Sequence, residues 1–482
     1  MNEYESQWRR DQLLEERIRG YLPAIVAVLL GLAIGIAISA SEGWLIPTGV
    51  FLGILVLIAA VFKSEWALLV ITILAPLEIW TQKIGSLAPG TGLTAINLVV
   101  IVLVVGAWLQ RFSTSEASVE ATSVDKPLLL YLAWSGLALY VAFMRWPNLD
   151  AKAAGEWLAM ACGYVMYWVV RRRWRSDKLA VAAVWSVLAL VVFEACFVMW
   201  QTHDQNITAY SEKLKYALTG TFPEGNSNDI GTYLSSYCMI GLGLFLAMRR
   251  SVWRWPALAA FVVGGLGTFF TYSRGSYIAL GVGVLAVILY KHKRYLVPAV
   301  IVVMLLPYVL PASVVERMNT SGDKSAENRK EFWKNGLSLM LTNPLGVGWR
   351  GYAQNETARG QELKDPHSQY VLVAAEQGIV GISLFIILLV AAGKETVKAI
   401  KRARTPFVQG LGVGVFGALI SFAVNNAFGT RMIWFYSVQH FWLLLGLLMV
   451  LSRRIPGESV VVEEAPAEKL KAVSPWRYRS WV

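Results

Sequence analysis

The sequence predicts an all-α polytopic membrane protein of about 14 transmembrane helices, with one long outer (periplasmic) loop that contains a helix of its own. Three observations carry this. Of the 482 residues, 56% are hydrophobic and 16% charged, whereas soluble domains carry about 25% charged residues. The apolar residues recur in long runs from Tyr21 to Leu451, and about 20 such residues cross a bilayer as a helix. The basic residues gather between the runs rather than inside them, as membrane topology requires. Backbone groups in hydrocarbon must pair internally, so each run is a helix.

Taken in order, residues 1–20 are polar and mixed in charge and form a cytoplasmic N-terminal segment without the features of a cleavable signal. Spans are expected near 21–40, 44–62, 65–80, 93–110, 127–143, 150–170, 179–200, 229–248, 255–272, 275–290 and 295–311, then 368–392, 407–425 and 433–451. Residues 21–311 are thus a bundle of about 11 helices interrupted by an outer loop, 201–228. A long periplasmic loop, 312–366, separates it from the last three helices in 367–452, and a Glu-, Val- and Pro-rich cytoplasmic tail, 453–482, is expected to be disordered. With the N-terminus in the cytoplasm, 29 of the 44 Lys and Arg residues fall on the cytoplasmic side. Eight of the 15 outside lie in the one long loop, where the positive-inside rule is weak. Both termini are therefore expected in the cytoplasm.

The long loop has content. Ser325 to Leu341 reads as a helix with Phe332, Trp333, Leu337, Met340 and Leu341 available for an apolar face. Asn343-Pro344 stops it and a Gly346-Val347-Gly348 turn follows.

Several classes of function are disfavoured. A net charge of +12 would hint at nucleic acid in a soluble protein, but here the basic clusters set topology, and no nucleic-acid partner is expected. Cys162, Cys196 and Cys238 lie in apolar spans, an odd number that fits neither a disulfide framework nor a Cys-ligated metal. No histidine pair has HExxH-like spacing and no acidic cluster stands out, so neither a metal nor another cofactor is expected.

The polar residues inside or beside the spans point to candidate sites. Trp255 to Tyr290 is 36 residues of apolar sequence broken by Tyr272-Ser273-Arg274-Gly275-Ser276. One helix of that length would be about 54 Å long, so the chain must reverse there, with Gly275 expected to supply the backbone freedom. Arg274 is then held at the outer boundary. A half-buried guanidinium suits an anion such as phosphate, and a snorkelling arginine at the lipid headgroups is the competing reading. Arg329, beside Lys330 and Lys334, reads by itself as a solvated charge on a helix face. His367, in Asp365-Pro366-His367-Ser368-Gln369-Tyr370 where the loop re-enters the membrane, can accept a proton at neutral pH. A lone histidine is more often structural than catalytic. Asn226, Asn228 and Asp229 open the eighth span, and capping explains one of them. Glu156, Glu194 and His440 lie within spans, the pattern a secondary transporter would show.

Three ordered blocks resemble the O-antigen ligase and O-antigen polymerase family of membrane glycosyltransferases. The first runs from Gly220-Thr221-Phe222 through Asn228 to Tyr233-Leu234, and the second is Ser273-Arg274-Gly275. The third runs from Arg329 and Trp333 through Asn343-Pro344-Leu345-Gly346-Val347-Gly348 to His367 and Glu376-Gln377-Gly378-Ile379-Val380-Gly381. One departure is Ser368, where the family often has Asn.

The resemblance implies a glycan donor on undecaprenyl diphosphate at the outer face of the bacterial inner membrane. Arg274 and Arg329 would then bind the diphosphate and His367 would deprotonate the acceptor hydroxyl, with Asn228, Tyr272 and Arg350 in support. The acceptor would be a further lipid-linked glycan in a polymerase of O-antigen or exopolysaccharide, or lipid A-core or protein in a ligase. The span count leans toward a polymerase, and the extended tails suggest a partner in a polysaccharide export complex. A secondary transporter is the alternative from another class.

Overall fold

The computed structural model describes residues 64–74, 97, 99–104, 120–204, 218–222, 226–291, 293–319, 324–358, 360, 365–433 and 435–454. The expected spans at 21–40 and 44–62, the N-terminal segment and the tail beyond 454 lie outside them.

Among the described residues all regular structure is helical. The helices are α1 (Ser64–Leu74), α2 (Asp125–Arg145), α3 (Lys152–Arg173), α4 (Asp177–Asp204), α5 (Ser227–Ala247), α6 (Arg254–Phe270) and α7 (Arg274–Lys291). They continue with α8 (Leu296–Val309), α9 (Ala312–Asn319), α10 (Lys324–Thr342), α11 (Gly351–Ala358), α12 (Gln369–Arg402), α13 (Pro406–Phe428) and α14 (Phe435–Arg453). A short stretch at 99–104 is also helical. Five of these, α2, α4, α5, α12 and α13, are long and apolar enough to cross a membrane. Shorter apolar helices include α1, α6, most of α7 and residues Ser437–Arg453 of α14.

The bundle is built around α5, which is buried on almost every side, as befits an element apolar all round. Its main partner is α13, and the two backbones nearly touch. A Cβ on Gly243 would strike Gly410 O and Gly414 N, and one on Gly410 would lie 2.8 Å from Leu244 Cα. Small residues permit such close crossings where lipid offers no hydrophobic drive between helices. This close approach lies toward the C-terminus of α5 and the N-terminus of α13; the antiparallel pair brings their other ends together at Asn425 and Ser235, and the candidate site lies at that end.

Two local expectations change. The reversal between α6 and α7 falls at Thr271–Ser273, and the residue with positive φ is Tyr272 (54°), not Gly275. Gly275 instead sits in the first turn of α7, where a Cβ would approach Phe428 Cβ to 2.9 Å. Its smallness serves packing rather than the turn.

The loop helix α10 extends one residue beyond the expected span at each end, but its buried face differs. Phe332, Gly336 and Leu339 face inward while Leu337 and Leu341 are 45% and 75% exposed. The close approach decides the face: at Gly336 a side chain would collide with Val371, so the helix meets α12 along the row that contains its glycine.

The long helix α12 is broken at Gly378 (φ 67°, ψ −166°). The break removes intrahelical partners, and the loop after α10 replaces them. Val347 N and Gly348 N donate to the carbonyls of Ala375 (3.0 Å) and Glu376 (2.9 Å), and Ile379 N donates to Pro344 O (2.9 Å). Trp134 Nε1 takes Gln377 O at 2.8 Å. Irregular backbone at membrane depth persists where protein satisfies it in this way.

Candidate active site

Two chain segments meet at the corner Phe428–Arg431 at the end of α13, and a third packs on one of them. The first is the Tyr272–Ser276 turn. Ser273 Oγ donates to Asn228 Oδ1 (2.8 Å), and Ser276 Oγ bonds both Ser273 Oγ (3.0 Å) and Asn425 Oδ1 (3.2 Å). Asn425 Nδ2 donates in turn to Ser235 Oγ at 3.1 Å. The turn is thus held to α5 and α13 by a chain of neutral polar groups. Tyr272 is buried, its hydroxyl 2.9 Å from Ser313 Oγ on α9. Arg274, half-buried, is the first residue of α7.

The start of α5 explains its own asparagines. Asn226 Oδ1 accepts from Asn228 N and Asp229 Oδ2 accepts from Asn226 N, both at 2.9 Å, a capping box. Capping therefore accounts for Asn226 and Asp229. Asn228 is left to hold the Ser-Arg-Gly turn.

The second segment is Asp365–Gln369. His367 has a left-handed backbone (φ 52°), unusual for a residue with a Cβ. Its N–H donates to Asp365 Oδ1 at 2.7 Å, and Asp365 Oδ2 accepts from Thr430 Oγ1 at 2.7 Å. Gln369 N donates to Gly429 O at 3.1 Å. The third segment is α10. Trp333 Nε1 donates to Pro366 O (3.1 Å), and the Phe332 ring centroid lies 6.4 Å from that of His367. Arg329 lies one turn before Trp333 on this helix and is half-buried.

The turn that bears Arg274 and the segment that bears His367 thus meet at the C-terminal end of α13, and α10, which bears Arg329, packs on the His367 segment. Asn228 and Tyr272 belong to the same region. Arg350, also with positive φ (61°), is engaged elsewhere: its guanidinium clamps Glu156 through two nitrogens, with Nε 2.6 Å from Oε2. That bidentate pair ties the start of α11 to α3.

Glu156, Glu194 and His440 all have partners. Besides the Glu156 clamp, Glu194 receives the backbone N–H of Thr221 at 3.0 Å and the Thr221 hydroxyl. His440 Nε2 donates to Thr72 O (2.7 Å), which leaves Nδ1 to accept from Tyr233 OH (3.2 Å). These contacts tie α3, α4 and α14 to neighbouring segments.

Reasoning from sequence missed two residues at this corner. Arg431 forms a buried ion pair with Asp229, and Thr430 anchors Asp365. Arg431 carried a signal, since it is a lone arginine between two apolar spans on the outer side. Thr430 carried none.

Residues 259–386 match the family model described as O-antigen ligase. Over that segment the chain is similar to the O-antigen ligase family. The segment begins within α6 and ends within α12 just past the Gly378 break, so it contains Tyr272, Arg274, Arg329, Arg350 and His367. The match supports the O-antigen ligase/polymerase family and a membrane glycosyltransferase type of enzyme, with the lipid-linked glycan and bilayer setting that the family implies. A comparison with curated proteins gives no match.

Proposed function

We propose that the protein is an inverting, metal-independent glycosyltransferase that moves a glycan from undecaprenyl diphosphate to an acceptor hydroxyl at the outer face of the inner membrane. The observation that carries the reading is the ligase-family match over Ser273-Arg274-Gly275, Arg329 and His367 together. Its support is that the Arg274 turn and the His367 segment meet at the end of α13, with the Arg329 helix packed on the latter. In the reaction the acceptor oxygen attacks the anomeric carbon and the bond from that carbon to the diphosphate oxygen breaks. Undecaprenyl diphosphate leaves with the electron pair, and His367 takes the hydroxyl proton. Arg274 and Arg329 hold the diphosphate and stabilise the charge that develops on it, as fixed cations do in a water-poor site.

A polymerase of O-antigen or exopolysaccharide is the preferred form, on the expected span number. Reconstitution of the purified protein in liposomes with a lipid-linked oligosaccharide tests it. A ladder of repeats is expected, whereas a single transfer to lipid A-core or protein would mean a ligase. His367→Ala is expected to lower turnover by about 10²–10⁴-fold, the usual worth of a positioned base. Transfer at the wild-type rate would remove His367 from that role. Arg274→Lys, which loses the bidentate fork, is expected to raise the KM for donor; unchanged donor affinity would count against diphosphate binding there.

A further inference from the structure

We infer that Asp365 and Thr430 are positioning residues that fix His367 for transfer, an inference that rests on the glycosyltransferase reading of the site. A left-handed φ at a residue with a Cβ costs of order 1–3 kcal/mol and persists only where its surroundings over-determine it. His367 has φ 52°. The surroundings are Asp365, whose two carboxylate oxygens face different elements. Oδ1 takes the His367 N–H and Oδ2 takes the Thr430 hydroxyl, each at 2.7 Å. Pro366 between them has its φ fixed by its ring, and its carbonyl is held by Trp333 Nε1 at 3.1 Å.

Thr430 is itself immobilised on both sides. Gly429 O accepts the Gln369 N–H at 3.1 Å. Arg431 is locked to Asp229 at the start of α5, with both side chains almost fully buried. The guanidinium folds back over Gly429, where a Cβ would collide with it. Phe428 packs on Gly275, next to Arg274. One four-residue corner therefore registers the backbone of His367 against the turn that carries Arg274. It lies outside the segment matched by the family model, which ends at residue 386.

The role assigned to Asp365 is geometric. It places the His367 backbone and needs no charge to do so. Asparagine keeps an acceptor for the His367 N–H and offers its NH₂ to the Thr430 hydroxyl, so Asp365→Asn should preserve the arrangement. Asp365→Ala loses both bonds, and Thr430→Val loses one while keeping the shape.

The test uses full-length protein in liposomes, with kcat and donor KM measured for wild type, D365A, D365N, T430V and the D365A/T430V pair. In parallel, the rate of diethyl pyrocarbonate modification of His367 is followed by mass spectrometry of its peptide. D365A is expected to lower kcat about 10- to 100-fold, since a misplacement near 1 Å can cost that much, with donor KM little changed. It should also change the modification rate. D365N should stay within a few-fold of wild type in both, T430V should fall between, and the pair should be no worse than D365A because the two act as one unit. Wild-type kcat and modification rate in D365A would overturn the inference. So would a D365N variant as impaired as D365A, which would assign the carboxylate charge itself the role. If H367A retains full activity while D365A still changes the modification rate, positioning stands and the base assignment fails.

Discussion

At the scale of single residues, the outer end of the bundle depends on polar groups that lipid would not tolerate alone. Asp229 shows how they are made acceptable: one oxygen caps α5 through Asn226 N and the other pairs with Arg431. Removing one member of a buried pair strands the other charge, typically at about 3–5 kcal/mol. Arg431→Ala is therefore expected to destabilise the protein by about that amount, read as a lowered thermal midpoint in detergent. Adding Asp229→Ala should recover part of the loss, since no bare carboxylate then remains. A midpoint for Arg431→Ala equal to wild type would mean the pair contributes no stability. Arg274 and His367 stood out in the sequence as ionisable groups at span boundaries, whereas Arg329 read alone as a solvated charge and entered only through the family resemblance. Thr430 did not stand out, because a threonine after a glycine is ordinary until its hydroxyl is seen 2.7 Å from Asp365.

At the scale of elements, the break in α12 and the loop after α10 form one unit. The sequence showed Asn343-Pro344 and the glycines that follow as a stop and a turn, and Gly378 as part of a motif. It did not show that they meet, because 30 or more residues separate them and hydrogen bonds between irregular segments leave no periodicity. Gly346 and Gly378 approach each other's segments so closely that a Cβ on Gly346 would collide with Glu376 O, and one on Gly378 with Pro344 O. Gly378→Ala adds a left-handed strain of order 1–3 kcal/mol to that collision, so it should lose folded protein and release Ile379 N and the carbonyls of Ala375 and Glu376. Amide hydrogen exchange at Val347, Gly348 and Ile379 is expected to quicken. Gly281 in α7 is the control: a Cβ there meets nothing within 4 Å. Gly281→Ala should be neutral, or stabilising by up to about 1 kcal/mol through helix propensity. Equal behaviour of the two variants would show that the Gly378 break is not required.

At the scale of the molecule, the contacts themselves sort the helix ends into two sets. One set joins Asp125 to Arg171, Ser123 to Glu395 and Asp177 to Arg454. It includes the termini flanked by Arg171–Arg173, Lys401–Arg402 and Arg453. The other joins Arg145 to Asn343, Glu156 to Arg350, Asn228 to Ser273 and Asp229 to Arg431. The two ends of α2 (Asp125 and Arg145) fall in different sets, and those of α3 (Glu156 and Arg171) do so in the reverse order, so these two helices run antiparallel. The basic set is the one that the positive-inside rule assigns to the cytoplasm. If so, the corner at Phe428–Arg431 and the loop bearing α10 face outward. The expectation is tested in a background with Cys162, Cys196 and Cys238 replaced, using single cysteines at Ser338 on α10 and at Ser251 between α5 and α6. A membrane-impermeant maleimide applied to spheroplasts should label the first and reach the second only after permeabilisation. The reverse pattern would place the Arg274–His367 region in the cytoplasm. A donor presented at the outer leaflet could not then reach it, and the proposed reaction would fail on topology alone.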